Sequence, residues 1–183
     1  MTRPQPNTQS ILRHWREAVP DDRLAHLVKD ATRALVRALQ MRLAAHAVSF
    51  GHWTFLRILW ETDGLTQREL SEQAGVMEPT TFSALKAMER LGYVMRRKRG
   101  DDRKKVYVFL TPKGRRLREK LVPLAEEVNR IAVRSVLAAD ITTTRSVLFA
   151  IIENLARDKL AADMRMPSTR QLARLKAGSR NRS

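Results

Sequence analysis

The stretch from Thr66 to Gly92 constrains this chain more than any other. Thr66-Gln67-Arg68-Glu69 is a capping box, in which the threonine hydroxyl accepts from the Glu69 backbone and the glutamate reaches back to Thr66. It opens a short helix through Leu70 and Ala74, and Gly75 stops it because glycine enters the left-handed region without strain. Glu78-Pro79 then starts a second helix, with proline at the first position, where a missing N–H costs nothing. Phe82, Leu85, Met88 and Leu91 recur at steps of three and predict its buried stripe, and Gly92 ends it. Two short helices joined by a tight glycine turn have the spacing of a helix-turn-helix.

The flanks read as longer helices and one hairpin. Asp21 and Asp22 offer N-caps for a helix carrying Leu24, Leu27, Val28, Ala31, Leu35, Leu39 and Leu43 and running to about Val48. Ser49 caps the next, with Phe50, Trp53, Leu56 and Trp60 at helical spacing up to Glu61, and Asp63-Gly64 marks a turn. Tyr93 to Arg96 and Lys105 to Leu110 are strand-like, with Val106, Val108 and Leu110 on one face. Between them lies a tip rich in lysine and arginine. Thr111-Pro112 restarts a helix through Leu117, Leu121, Leu124 and Val128 to about Ala139, and Thr142 to Ala162 predicts the last. The expected fold is mainly α with a small β-hairpin. Residues 1–20 read as a polar arm that orders against a partner subunit, and residues 164–183 as a basic, disordered tail.

Charge narrows the function. The 183 residues carry a net charge of +16, which calls for a polyanionic partner, nucleic acid or an anionic membrane surface. No apolar run approaches the ~20 residues of a membrane span, and the N-terminus has no signal-peptide core, so a cytoplasmic protein with no membrane partner is expected. Cysteine is absent, which excludes disulfides, thiol nucleophiles and thiolate zinc sites. His14, His26, His46 and His52 lack a carboxylate at ligand spacing. There is no glycine-rich phosphate loop and no catalytic constellation, so the expectation is no metal, no cofactor and no enzyme activity.

LTQRELSEQAG, MEPTTFSALKAMERLGYV and RRKRGDDRKKVYVFLTPKG follow one another in order, with Asp101-x-Arg103 and Leu110-Thr111-x-x-Gly114 in the last. Together they resemble the winged helix-turn-helix of the MarR (multiple antibiotic resistance regulator) family, and the flanking helices extend the resemblance over roughly residues 21–163. The resemblance implies a winged helix-turn-helix lobe at 49–111 and helical dimerisation segments at 21–48 and 112–163. The long apolar faces of those helices, including Leu121 and Val128, call for a second chain to cover them.

A recognition helix presents its N-terminal part to base edges in the major groove. The expected exposed face is Pro79, Thr80, Thr81, Ser83, Lys86 and Arg90; the bland alternative is a merely solvated face. By resemblance, Arg103 is the wing-tip residue of the minor groove and Asp101 helps to hold it. Arg97, Lys98, Arg99, Lys104 and Lys105 would neutralise phosphates, as would Gln67 and Arg68 at the start of the first motif helix. The resemblance also implies a small aromatic ligand between the dimerisation helices and the lobe. His46, Phe50, His52, Trp53 and Arg57 fall in that zone, the histidines and arginine suited to an acid and the aromatics to a ring. The alternative is that Phe50 and Trp53 are plain core.

The expected function is a sequence-specific regulator of transcription. It is a homodimeric repressor on a pseudo-palindromic double-stranded DNA operator, released by a small aromatic acid or its thioester. The alternatives are a ligand-independent activator and a nonspecific architectural nucleic-acid binder.

Overall fold

The computed structural model describes residue 13 and residues 24–98 and 105–158. Helix α1 spans Leu24–Ala44 and α2 spans Phe50–Glu61. A two-residue strand β1, Leu65–Thr66, precedes α3, Gln67–Ala74, and α4, Glu78–Arg90. Strands β2, Val94–Lys98, and β3, Val106–Leu110, lead to α5, Pro112–Ala132, and α6, Ala138–Arg157. The fold is the winged helix-turn-helix expected, with one more strand. β1 joins the hairpin to give an antiparallel sheet of order β1-β3-β2, Leu65 opposite Val108 and Val94 opposite Leu110.

Local chemistry explains the boundaries. α1 stops at Ala44 rather than near Val48 because the chain must reverse before Ser49. Ala47 takes a left-handed φ of 56° there, and the Ser49 hydroxyl accepts from the His52 backbone at 3.1 Å. The Thr66–Glu69 box is closed in both directions, and Gly75 sits at φ 64°. Thr111 caps α5 by accepting from the Gly114 backbone at 3.0 Å. Glu78, not Pro79, takes the first position of α4, since Met77 is its N-cap; proline is tolerated at the second because an N–H there would have no intrahelical partner.

The core gathers Leu43, Leu56, Leu59, Leu70, Leu85, Met88, Val108 and Leu121, each essentially inaccessible to water. Leu121 and Val128 are therefore covered within their own chain, not left for a second one as their stripe suggested. On α1 only Leu39 and Leu43 are buried, and Leu24, Leu27 and Leu35 are exposed. An Arg42–Glu127 ion pair at 3.2 Å joins α1 to α5. The Phe50 backbone donates to Gln40 Oε1 at 2.6 Å and joins α1 to α2.

The chain divides into two compact units, Met1–Ala132 and Val133–Ser183. In the second, Ser135 adopts φ 67° and the Val136 backbone donates to the Val133 carbonyl at 3.1 Å. This turn ends α5 at Ala132, short of the expected Ala139, and α6 begins at Ala138, ahead of the expected Thr142. The expected end at Ala162 lies outside the described residues. Along α6, Val147, Leu148, Phe149, Ile152 and Leu155 are exposed. Among the described residues, no helix is long and apolar enough to cross a membrane.

Candidate nucleic-acid interface

Helix α4 divides cleanly into two faces. Thr81, Leu85 and Met88 are buried at steps of four and three, and opposite them Pro79, Ser83, Lys86 and Arg90 are exposed, as is Thr80. The expectation for Thr81 is overturned: it is fully buried, and its hydroxyl shares a 2.8 Å hydrogen bond with Ser71 of α3. Phe82, placed in the core by the three-residue pattern, is 46% exposed instead. A step of three residues turns only 300° at 3.6 residues per turn, so a row of threes drifts 60° each time and leaves the core at its ends. The true stripe starts one residue earlier, at the position where a small hydroxyl fits against α3.

The base of the wing is fastened to this helix. Arg96 of β2 donates through Nε and Nη2 to Glu89 Oε2 of α4 at 3.0 and 2.6 Å. The Glu89 carboxyl is held below its usual range, first by that hydrogen bond from Arg96. The same guanidinium lies 5.8 Å from the centre of the Phe82 ring. Neither Arg96, Glu89 nor Phe82 stood out in the sequence as an interface residue. The signal that could have found the pair is a glutamate on the helix seven residues before an arginine on the strand, with the Gly92 turn between them.

Beyond Arg96, Arg97 and Lys98 at the end of β2 and Lys105 before β3 are exposed. Arg99, Asp101, Arg103 and Lys104 lie outside the described residues. At the other end of the motif, Arg68 is exposed and paired with Glu72 at 2.9 Å, while Gln67 is half-buried. An exposed i,i+4 pair of this kind is weak, so Arg68 can exchange its carboxylate for a phosphate at little cost.

The foot of the sheet is set by Asp63. Its Oδ1 accepts from the backbones of Gly64 at 3.1 Å and Leu110 at 2.8 Å, and its Oδ2 pairs with Arg115 at 2.8 Å. Gly64, at φ 79°, leaves room for the Phe109 ring, which a Cβ would meet at 2.6 Å. Gly114 lets α5 pass against the Tyr93 carbonyl, inside which a Cβ would fall.

The candidate effector residues share α2 and the turn before it but differ in setting. Trp53 is buried and meets Trp60 edge-on at 5.6 Å, so it is core, the alternative the sequence left open. Phe50, His46 and His52 are half-buried and Arg57 is exposed. The His52 Nδ1 is buried and has no hydrogen-bond partner among the described residues, and burial pushes the imidazole below its ordinary range. Among the described residues, no group of three histidines or carboxylates is arranged to hold a metal ion.

A family model described as MarR family matches residues 48–106. The transcriptional regulator TtmR of Methylorubrum extorquens is 31% identical over 144 residues, covering 78% of this chain and 69% of its own length. The homoprotocatechuate degradative operon repressor of Escherichia coli is 28% identical over 109 residues, 60% of this chain and 74% of its own. Among solved structures, a MarR transcriptional regulator from Methanosarcina mazei superposes with a TM-score of 0.66 at 25% identity, covering 72% of this chain and 94% of the other.

Proposed function

The chain belongs to the MarR family of DNA-binding transcriptional regulators, and on that footing we propose that it is a homodimeric repressor released from its operator by a small aromatic acid or thioester. The observation that carries the DNA-binding part is the exposed row Pro79, Ser83, Lys86 and Arg90 on α4, with Arg97 and Lys98 beside it on a strand tied to the same helix. In this reading the row enters the major groove, and Thr80 meets bases or backbone at its N-terminal end. Lys98, Arg97, Lys105 and Arg68 neutralise phosphates, with Gln67 alongside, and Arg99 and Lys104 do so farther out on the wing. Arg103 reaches the minor groove with Asp101 holding it. Thr81 has no part in base reading.

Dimerisation is supported by apolar surface that a lone chain leaves in water. Leu24, Leu27 and Leu35 on α1 are exposed, and so, in the second unit, are Phe149, Ile152 and Leu155 on α6; apolar side chains repeated along a helix in this way suit a partner chain. A two-fold dimer presents two recognition helices and therefore calls for half-sites about 34 Å apart. Sedimentation should give a dimer; a stable monomer at micromolar concentration contradicts this reading.

The effector is supported by chemistry at α2. Among the described residues the His52 Nδ1 has no hydrogen-bond partner, and Arg57, exposed farther along the same helix, can pair with an acid. Phe50 and His46 are half-buried and near them in the chain, while Trp53 belongs to the core behind α2. The E. coli relative is named as the repressor of a homoprotocatechuate degradative operon. Release needs only that the ligand prefer a dimer whose recognition helices are wrongly spaced, typically a coupling of ~1–3 kcal/mol, or roughly 5- to 150-fold in DNA affinity. Titrating operator complexes with a panel of aromatic acids and thioesters tests this. Wild type should be released and Arg57→Ala should bind DNA normally yet resist release. If no compound releases the wild type, the protein is a ligand-independent regulator.

A further inference from the structure

We propose that Phe82 is a base-reading residue, its ring seated on the C5-methyl group of one thymine per half-site and held in place by Arg96 and Glu89. This rests on the reading of α4 as the recognition helix. Pro79, Phe82, Ser83, Lys86 and Arg90 stand at i, i+3, i+4, i+7 and i+11, the spacing of one helix face, and all five are exposed. Phe82 is thus the one large apolar side chain in a row otherwise made of proline, serine, lysine and arginine.

At 46% exposed, the ring has apolar surface free to meet a partner. The residues around it decide which partner. Lys86 and Arg90 follow it one and two turns along the helix and Arg97 and Lys98 follow Arg96 on the strand, so the surface suits a polyanion rather than an apolar protein face. Within unmodified duplex DNA, the apolar group displayed in the major groove is the thymine methyl, and phenylalanine is among the side chains that contact it.

The ring is also preorganised. The Arg96 guanidinium lies 5.8 Å from its centre, and that guanidinium is itself fixed by two hydrogen bonds to Glu89 Oε2. A planar cation against an aromatic ring restricts the ring without covering it fully. The ring therefore pays less entropy on docking than a free phenylalanine would. Arg96 and Glu89 are positioning residues: they act on the base only through Phe82.

The test uses an operator selected from random-sequence duplexes by the wild-type full-length chain. Each thymine is replaced singly by deoxyuridine, which removes the methyl and keeps the pairing, and affinities are measured by fluorescence anisotropy. One position per half-site should cost the wild type ~4-fold, the worth of one buried methyl. Phe82→Ala should bind more weakly but show no change at that position, while keeping the wild-type response at every other thymine. Phe82→Leu, which keeps an apolar side chain for the fold, should show a reduced response. Arg96→Lys should lower the response without abolishing it. A wild type insensitive to deoxyuridine everywhere, or a Phe82→Ala or Phe82→Leu profile identical to the wild type, overturns the proposal while leaving operator binding intact. Failure to select any operator would instead overturn the reading of α4 itself.

Discussion

At the scale of single residues, the informative pair is Thr81 and Phe82. A periodicity read in threes puts the phenylalanine inside and the threonine outside, whereas the folded helix does the reverse because its buried positions are Thr81, Leu85 and Met88. Thr81 is fully buried where α4 crosses α3 and shares a hydrogen bond with Ser71, and that crossing is a tertiary fact. Thr81→Ala should therefore cost about 1–2 kcal/mol of stability by removing a buried hydrogen bond and a methyl. Thermal unfolding should show the loss, and the ranking of half-site sequences should not change; a change in ranking with unchanged melting would contradict the burial. His52 gives a second prediction. Burial holds its folded pKa down, so above about pH 6.5 both states are neutral and the group contributes nothing to pH dependence. As pH falls through the unfolded value, the unfolded chain takes up a proton that the folded chain resists, and stability declines until the folded value is passed. Glu89 is shifted down by Arg96 and adds its own loss only at lower pH, below about 4.3. His52→Gln should flatten the decline that sets in as pH falls through about 6.5, and an unaltered slope in chemical denaturation would count against the assignment.

At the scale of elements, the capped helices were legible because their signals are local. Ser49, Thr66 and Gly75 all behave in the structure as their residue types demand. β1 was not legible, since two residues carry no periodicity and Leu65–Thr66 is a strand only because Tyr107 and Val108 are there to pair with it. The ends of α1 and α5 are hidden in the sequence for a related reason: Ala47 and Ser135 take left-handed backbone at turns that no glycine announces. The wing's attachment was hidden too, because it depends on a strand and a helix meeting. Arg96→Ala removes that tie. Its side chain is more than a quarter exposed, so the fold should lose less than about 1 kcal/mol. Operator affinity should fall severalfold, and by more than affinity for random DNA, because the loss is one of positioning. Equal losses on both DNAs would reduce Arg96 to a simple charge. Gly114→Ala should be far more damaging, at least ~2 kcal/mol, because its Cβ would collide with backbone rather than with a side chain that can move.

At the scale of the whole molecule, the +16 charge identified the partner's chemistry but not its specificity. Charge alone fits an architectural binder as well as a regulator; what separates them is the row on α4 and the apolar surface awaiting a second chain. The basic strand residues should set affinity rather than preference. Arg97→Ala and Lys98→Ala should each lower the salt dependence of binding by about one unit per lost phosphate contact, hence about two in a homodimer, with the order of preferred sequences unchanged. The central claim is that a two-fold dimer reads a specific site through α4. Its most direct measurement is a titration of the full chain, at near-physiological salt, against a selected operator and a scrambled duplex of the same composition, with stoichiometry and footprint read on the same complexes. The account predicts operator binding at least ~10³-fold tighter, two chains per duplex, and two protected half-sites about one helical turn apart. Equal affinity for the two duplexes, with uniform protection along the DNA, would contradict it.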